Sequence, residues 1–113
     1  MPEPSLIETF GTGATQNSTT LTIAKAPMAE FGLTAVVENK AEALFAGTVC
    51  VAAKNLTEAN RALDRVNRNV TVTPAGFDVV EDPPGSGQYF RRDIFTVILY
   101  KSELATPLDL DNY

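Results

Sequence analysis

Residues Lys40 to Asn67 read KAEALFAGTVCVAAKNLTEANRALDRVN, and the architecture turns on how this stretch is understood. Its apolar side chains at Phe45, Val49, Ala52, Leu56, Ala59, Leu63 and Val66 recur at alternating intervals of four and three residues. That spacing keeps them on one face of a helix, with no loss of phase from end to end. A helix over 40–67 would be about 40 Å long. Gly47 and Thr48 weaken it locally, the glycine by about 1 kcal/mol relative to alanine. Asn55 and Glu58 have the spacing of a capping box, which offers a division into two helices at Asn55. The continuous phase favours one helix, kinked at most. A sustained 3.5-residue period also suits a coiled coil, but the stripe lasts only about three heptads and two of its positions are alanine. It is therefore expected to pack on the chain's own sheet, and truncating Leu63 to alanine to cost about 2–5 kcal/mol.

Downstream of this helix, Val70-Thr71-Val72-Thr73-Pro74 and Phe77-Asp78-Val79-Val80-Glu81 read as strands, with Gly76 marking a turn. Pro83-Pro84-Gly85-Ser86-Gly87 reads as a loop. A last, long strand runs from Gln88 to about Lys101. Its second half, Ile94 to Tyr100, is apolar on both faces, which implies cover on both sides. Its first half, Tyr89 to Asp93, is polar enough to project. Upstream, Thr19 to Ala24 alternates polar and apolar residues as a half-buried strand does. Met28 to Phe31 suits one helical turn closed by Gly32, and Leu33 to Glu38 suits a second strand.

Residues 1–18 are rich in Pro, Gly, Ser, Thr and Asn and predict an extended N-terminal arm. Residues 102–113, SELATPLDLDNY, predict a polar C-terminal tail. Between them, 19–101 is expected to form a single α+β domain. One long helix packs on a small antiparallel sheet of about three to five strands, with extended arms at both ends. A chain of 113 residues leaves little room for a second core.

Composition narrows the chemistry. The net charge is −5, from nine basic and fourteen acidic residues, which disfavours nucleic acid and anionic membranes as partners. Met1 to Leu6 lacks the basic start and apolar core of a secretion signal, so synthesis in a cytoplasm is expected. There is no histidine. That removes Ser-His and Cys-His nucleophile systems and the usual general base near neutral pH. Cys50 is the single cysteine and reads as a small buried apolar residue. Asp78, Glu81, Asp82 and Asp93 flank the last hairpin and read as solvated charges that discourage edge pairing. Asp109-Leu110-Asp111-Asn112 lacks the glycine and closing glutamate of a calcium loop. Gly11-Thr12-Gly13 has no following Lys-Ser/Thr to make a phosphate loop. Arg61, Arg65 and Arg68 share one helix face, but acidic neighbours and the helix dipole account for them. The three glycosylation sequons at Asn17, Asn55 and Asn69 read as chance matches. No catalytic, cofactor-binding or metal-binding set emerges.

The opening MPEPSLIETFGTGATQNSTTLTIAKA and the ending LATPLDLDNY resemble the ends of small proteins of tailed cyanobacterial phages and prophages. The resemblance covers about a third of the chain. It implies a non-catalytic structural component of the virion, made in the host cytoplasm. A capsid cement or decoration protein that binds major capsid subunits is the preferred role. A neck or tail ring subunit, or a cytoplasmic adaptor, is the alternative. Expected partners are other virion proteins and further copies of the chain, without nucleic acid, membrane or cofactor. The residues expected to bind them are Leu6, Ile7 and Phe10 in the N-terminal arm, Tyr89, Phe90, Arg91 and Arg92 in the projecting hairpin, and Leu108, Leu110 and Tyr113 in the tail.

Overall fold

A computed structural model describes residues 3–101 and 110–113. It is a mixed α+β structure with several short helices and two separate two-stranded antiparallel sheets. Helix α1 spans Leu6–Phe10, and strands β1 (Thr15–Gln16) and β2 (Leu21–Thr22) pair with each other. A 3-10 helix covers Ala26–Phe31. Helices α2 (Ala41–Asn55) and α3 (Glu58–Leu63) follow, then strands β3 (Val70–Glu81) and β4 (Tyr89–Leu99). The expected turn before Gly32 is that 3-10 helix, and the glycine closes it.

The single long helix is not formed. The chain leaves the helix at Leu56 and Thr57, and the cap of the next helix is Thr57, whose hydroxyl oxygen accepts from the Asn60 N–H at 3.0 Å. The Leu56 carbonyl accepts instead from the Val72 N–H, 2.7 Å away on β3. A sheet contact thus outcompetes the intrahelical one. The apolar phase survives only as far as the break: Ala52 and Leu56 are buried with Val72, and Val49, Ala53, Val70 and Phe95 pack around them. Beyond it, Leu63 and Val66 are 70% and 83% exposed.

Among the described residues a sheet of three to five strands is not formed either. Asn17 Oδ1 accepts from the N–H groups of Thr19 and Thr20, so a tight turn takes up the residues that would have lengthened β2. From Leu33 to Glu38 no strand forms. Asn39 accepts from the Val36 N–H and donates to the Thr34 carbonyl, and Lys25 Nζ donates to the Val36 carbonyl. Side chains there hold backbone groups that a ladder would need. The two strands expected over 70–81 are one. Between the pairs Pro74↔Phe95 and Phe77↔Asp93, β3 advances three residues and β4 two, so Ala75-Gly76 is a bulge rather than a turn.

The N-terminal segment is folded, not extended, over Leu6–Phe10. Ser5 and Glu8 form a capping box: Ser5 Oγ accepts from the Glu8 N–H at 3.1 Å, and the Glu8 carboxylate accepts from the Ser5 N–H. Composition hid this because Ser and Pro suit helix starts as well as turns. Gly11 ends α1 at φ 94°, and a Cβ there would lie 2.8 Å from the Pro27 ring. Helix α1 packs on α2, where Asn55 Nδ2 donates to the Glu8 carbonyl at 3.0 Å. Gly47, costly to helix propensity, has a packing reason: a Cβ would meet Met28 Sδ at 2.6 Å.

The root of the β3–β4 hairpin lies between two helices. Val70, Val72 and Phe95 meet α2 on one face. On the other, fully buried Thr71 donates to Glu58 of α3 at 2.8 Å, and Tyr100 Oη donates to the same carboxylate at 3.0 Å. Leu56→Ala should therefore cost about 2–5 kcal/mol, as buried leucine truncations do. Leu63→Ala should cost under about 0.5 kcal/mol, the usual range for surface changes. Urea denaturation of both variants followed by circular dichroism checks the reversal.

Candidate interaction surface

The distal hairpin is built by strict alternation. Phe77 and Val79 of β3 and Tyr89, Arg91 and Asp93 of β4 share one face; Asp78, Val80, Phe90 and Arg92 share the other. Both arginines are paired within the hairpin. Arg92 Nε donates to Asp78 directly across the ladder at 2.8 Å, and Arg91 pairs with Asp93 at 2.9 Å while its guanidinium lies 3.8 Å over the Phe77 ring. The Arg92 hydrogen bonds hold the Asp78 carboxyl below its ordinary range, and Asp78 raises Arg92 in turn. At the tip, Glu81 accepts from the N–H groups of Gly85 and Gly87, at 2.7 and 3.1 Å, which lowers its pKa and fixes the loop. Beside these groups Phe77, Val79, Tyr89 and Phe90 are all exposed.

Exposure continues towards the root. Ile94, Val97, Ile98 and Leu99 are exposed, so the cover expected on both sides of β4 is not supplied by the described residues. Among those residues only six hydrophobic side chains are buried: Ala14, Met28, Val51, Ala52, Leu56 and Val72. Beside β4 runs an apolar groove of about 660 Å³ between Phe31, Phe45, Val49 and Cys50 on one side and Phe95 and Val97 on the other. Phe45, expected to be core, is 73% exposed at its rim. Cys50 is half-buried there, and burial first, then the Asp93 charge, pushes its thiol pKa up.

The expected partner-binding residues divide. Tyr89, Phe90, Arg91 and Arg92 lie together on the hairpin, but both arginines are engaged by carboxylates. Leu6 and Phe10 are half-buried, while Ile7 is exposed. Leu110 is exposed, and Tyr113 is half-buried at a cleft also lined by Pro4, Leu56 and Val70. Leu108 lies outside the described residues. The groove residues Phe31, Phe45 and Val97 were missed as contact residues, although the two-faced apolar run 94–100 was the signal for Val97.

Arg61, Arg65 and Arg68 do not share a face. Arg61 stacks 3.4 Å over Tyr100, and Arg65 donates to the Ala62 carbonyl. Arg68 is 3% exposed and pairs with Glu8 at 3.1 Å, tying α1 to the approach of β3. Among the described residues no group of His, Cys, Asp and Glu is arranged to hold a metal. No helix there is long and apolar enough to cross a membrane. The Arg68 hydrogen bond is the main cause that lowers the Glu8 pKa, with the Ser5 N–H adding to it. A carboxyl depressed in the folded state contributes stability above its unfolded pKa and loses it as pH falls through the folded value. Thermal melts from pH 7 to 3 should show that acid loss in the native chain and a shallower one in Glu8→Gln, whose melting point at pH 7 is already lower.

Comparison with protein-family models, with curated proteins and with solved structures finds no match to this chain.

Proposed function

We propose that the chain is a non-catalytic structural subunit of a tailed-phage particle, acting as a cement protein that binds major capsid subunits. One observation carries this reading: the β3–β4 hairpin displays more large apolar side chains than the described core buries. A monomer rarely exposes contiguous apolar surface on that scale unless it is an interface. Both hairpin arginines are already paired with carboxylates of the same hairpin, so neither needs a partner's charge. The terminal likeness to phage proteins gives the class of assembly, and the net negative charge argues against a nucleic-acid role. The reach first assigned to the N-terminal arm passes to the hairpin, because α1 is docked on α2.

A neck or tail ring subunit is the second reading, favoured by the groove beside β4, which a neighbour's hairpin tip would fill head to tail. The chain is expected in density-gradient-purified particles alongside the major capsid protein, measured by quantitative mass spectrometry. Its confinement to the particle-free lysate contradicts both readings. Deleting the gene separates them: loss of a cement protein leaves tailed particles with fragile heads, whereas loss of a ring subunit leaves heads without tails.

A further inference from the structure

We infer that two copies of this chain join through the outer edge of β4, antiparallel and centred on Val97, to form a four-stranded sheet. Backbone directions define the edge. Tyr100 N–H donates inward to the Asn69 carbonyl, so residues alternate from there: Ile98 and Thr96 point their backbone groups at β3, while Leu99, Val97 and Phe95 point theirs away. Pro74, opposite Phe95, fits this parity, since its missing N–H would also have pointed away. The corresponding edge of β3 is occupied at Val72, whose N–H is taken by the Leu56 carbonyl. Among the described residues no backbone bond closes the β4 edge.

Self-pairing is favoured over a foreign strand because the β4 sequence complements itself when read antiparallel. With the two-fold axis at Val97, Val97 faces Val97 of the second copy, and Phe95 faces Leu99 in both directions. All of these are positions whose N–H and C=O point outward, so each pair exchanges both hydrogen bonds. The same register sets Asp93, which keeps its Arg91 partner, opposite Lys101 of the second copy, so opposite rather than like charges meet at each end of the interface. The axis is perpendicular to the sheet, so α2 of both copies lies on one face. The incoming Phe95, Val97 and Leu99 enter the groove lined by Phe31, Phe45 and Val49. Exposed Phe45, Val97 and Leu99 are thereby covered together. The resulting order, β3-β4-β4-β3 with α2 of each copy on one face and α3 on the other, is a larger antiparallel sheet than the described residues of one chain form.

This deepens the proposed function by naming a first partner, and it shares with it the premise that the hairpin is an interface. It is tested without particles. Light scattering of the full chain at micromolar concentration should give twice the monomer mass. Residues in a bonded pair sit about 5.5 Å apart between Cα atoms, within disulfide reach. In a Cys50→Ala background, Val97→Cys should therefore cross-link to itself quantitatively under mild oxidation. Phe95→Cys should not self-link, whereas mixing Phe95→Cys with Leu99→Cys should give the mixed dimer. Val97→Pro, which removes only an outward N–H, should be monomeric; circular dichroism shows whether it is folded, and the cross-linking result stands without it. A monomer at all concentrations overturns the inference, as does an oligomer in which Val97→Cys fails to self-link. Neither result bears on whether the chain is found in particles, and absence from particles leaves the dimer standing.

Discussion

The hydrogen bond from the Val72 N–H to the Leu56 carbonyl is the constraint on which the rest of the molecule depends. It ends α2 before the apolar stripe does, and it turns the chain so that α3 starts on the opposite side of the sheet. One helix then packs on Val72 and Phe95 while the other holds Thr71 and Tyr100 through Glu58. It also occupies part of the free edge of β3. The Leu56 side chain enters the core at the same point, so one residue sets helix length, hairpin position and the edge that stays open. A straight helix through Asn67 would leave Glu58 unable to serve the second face.

Sequence periodicity was informative where a single chain decides the outcome. Val49, Ala52 and Leu56 face the core as their spacing requires, and the Val70–Glu81 and Tyr89–Leu99 segments are strands. It failed where a tertiary contact outweighs a local preference. Nothing between Asn55 and Thr57 announces that the Leu56 carbonyl has a better partner on β3. Residues 33–38 have strand-like composition, yet Asn39 and Lys25 hold their backbone groups. The N-terminal segment looked like an arm because Ser5 and Pro4 suit both turns and helix starts. The exposure of the hairpin aromatics Tyr89 and Phe90 was legible in the polar, projecting first half of the strand. The groove was not, because an apolar strand reads identically whether its cover comes from its own chain or from another.

Small size explains why the surface is so apolar. A two-stranded hairpin is marginal alone, and helices on both faces of its root stabilise only part of its length. The carboxylates along it serve the hairpin itself: Asp78 and Asp93 hold arginines and Glu81 holds the loop. Its two arginines are paired, while Phe77, Val79, Tyr89 and Phe90 stay exposed.

Residue-resolved amide hydrogen exchange along β4, compared between dilute and concentrated protein, tests most directly the claim that this strand is completed by association. The inward amides of Thr96, Ile98 and Tyr100 should be protected at both concentrations. Those of Phe95, Val97 and Leu99 should exchange freely when dilute and become protected when concentrated. Unchanged, fast exchange at these three amides at high concentration would contradict the account.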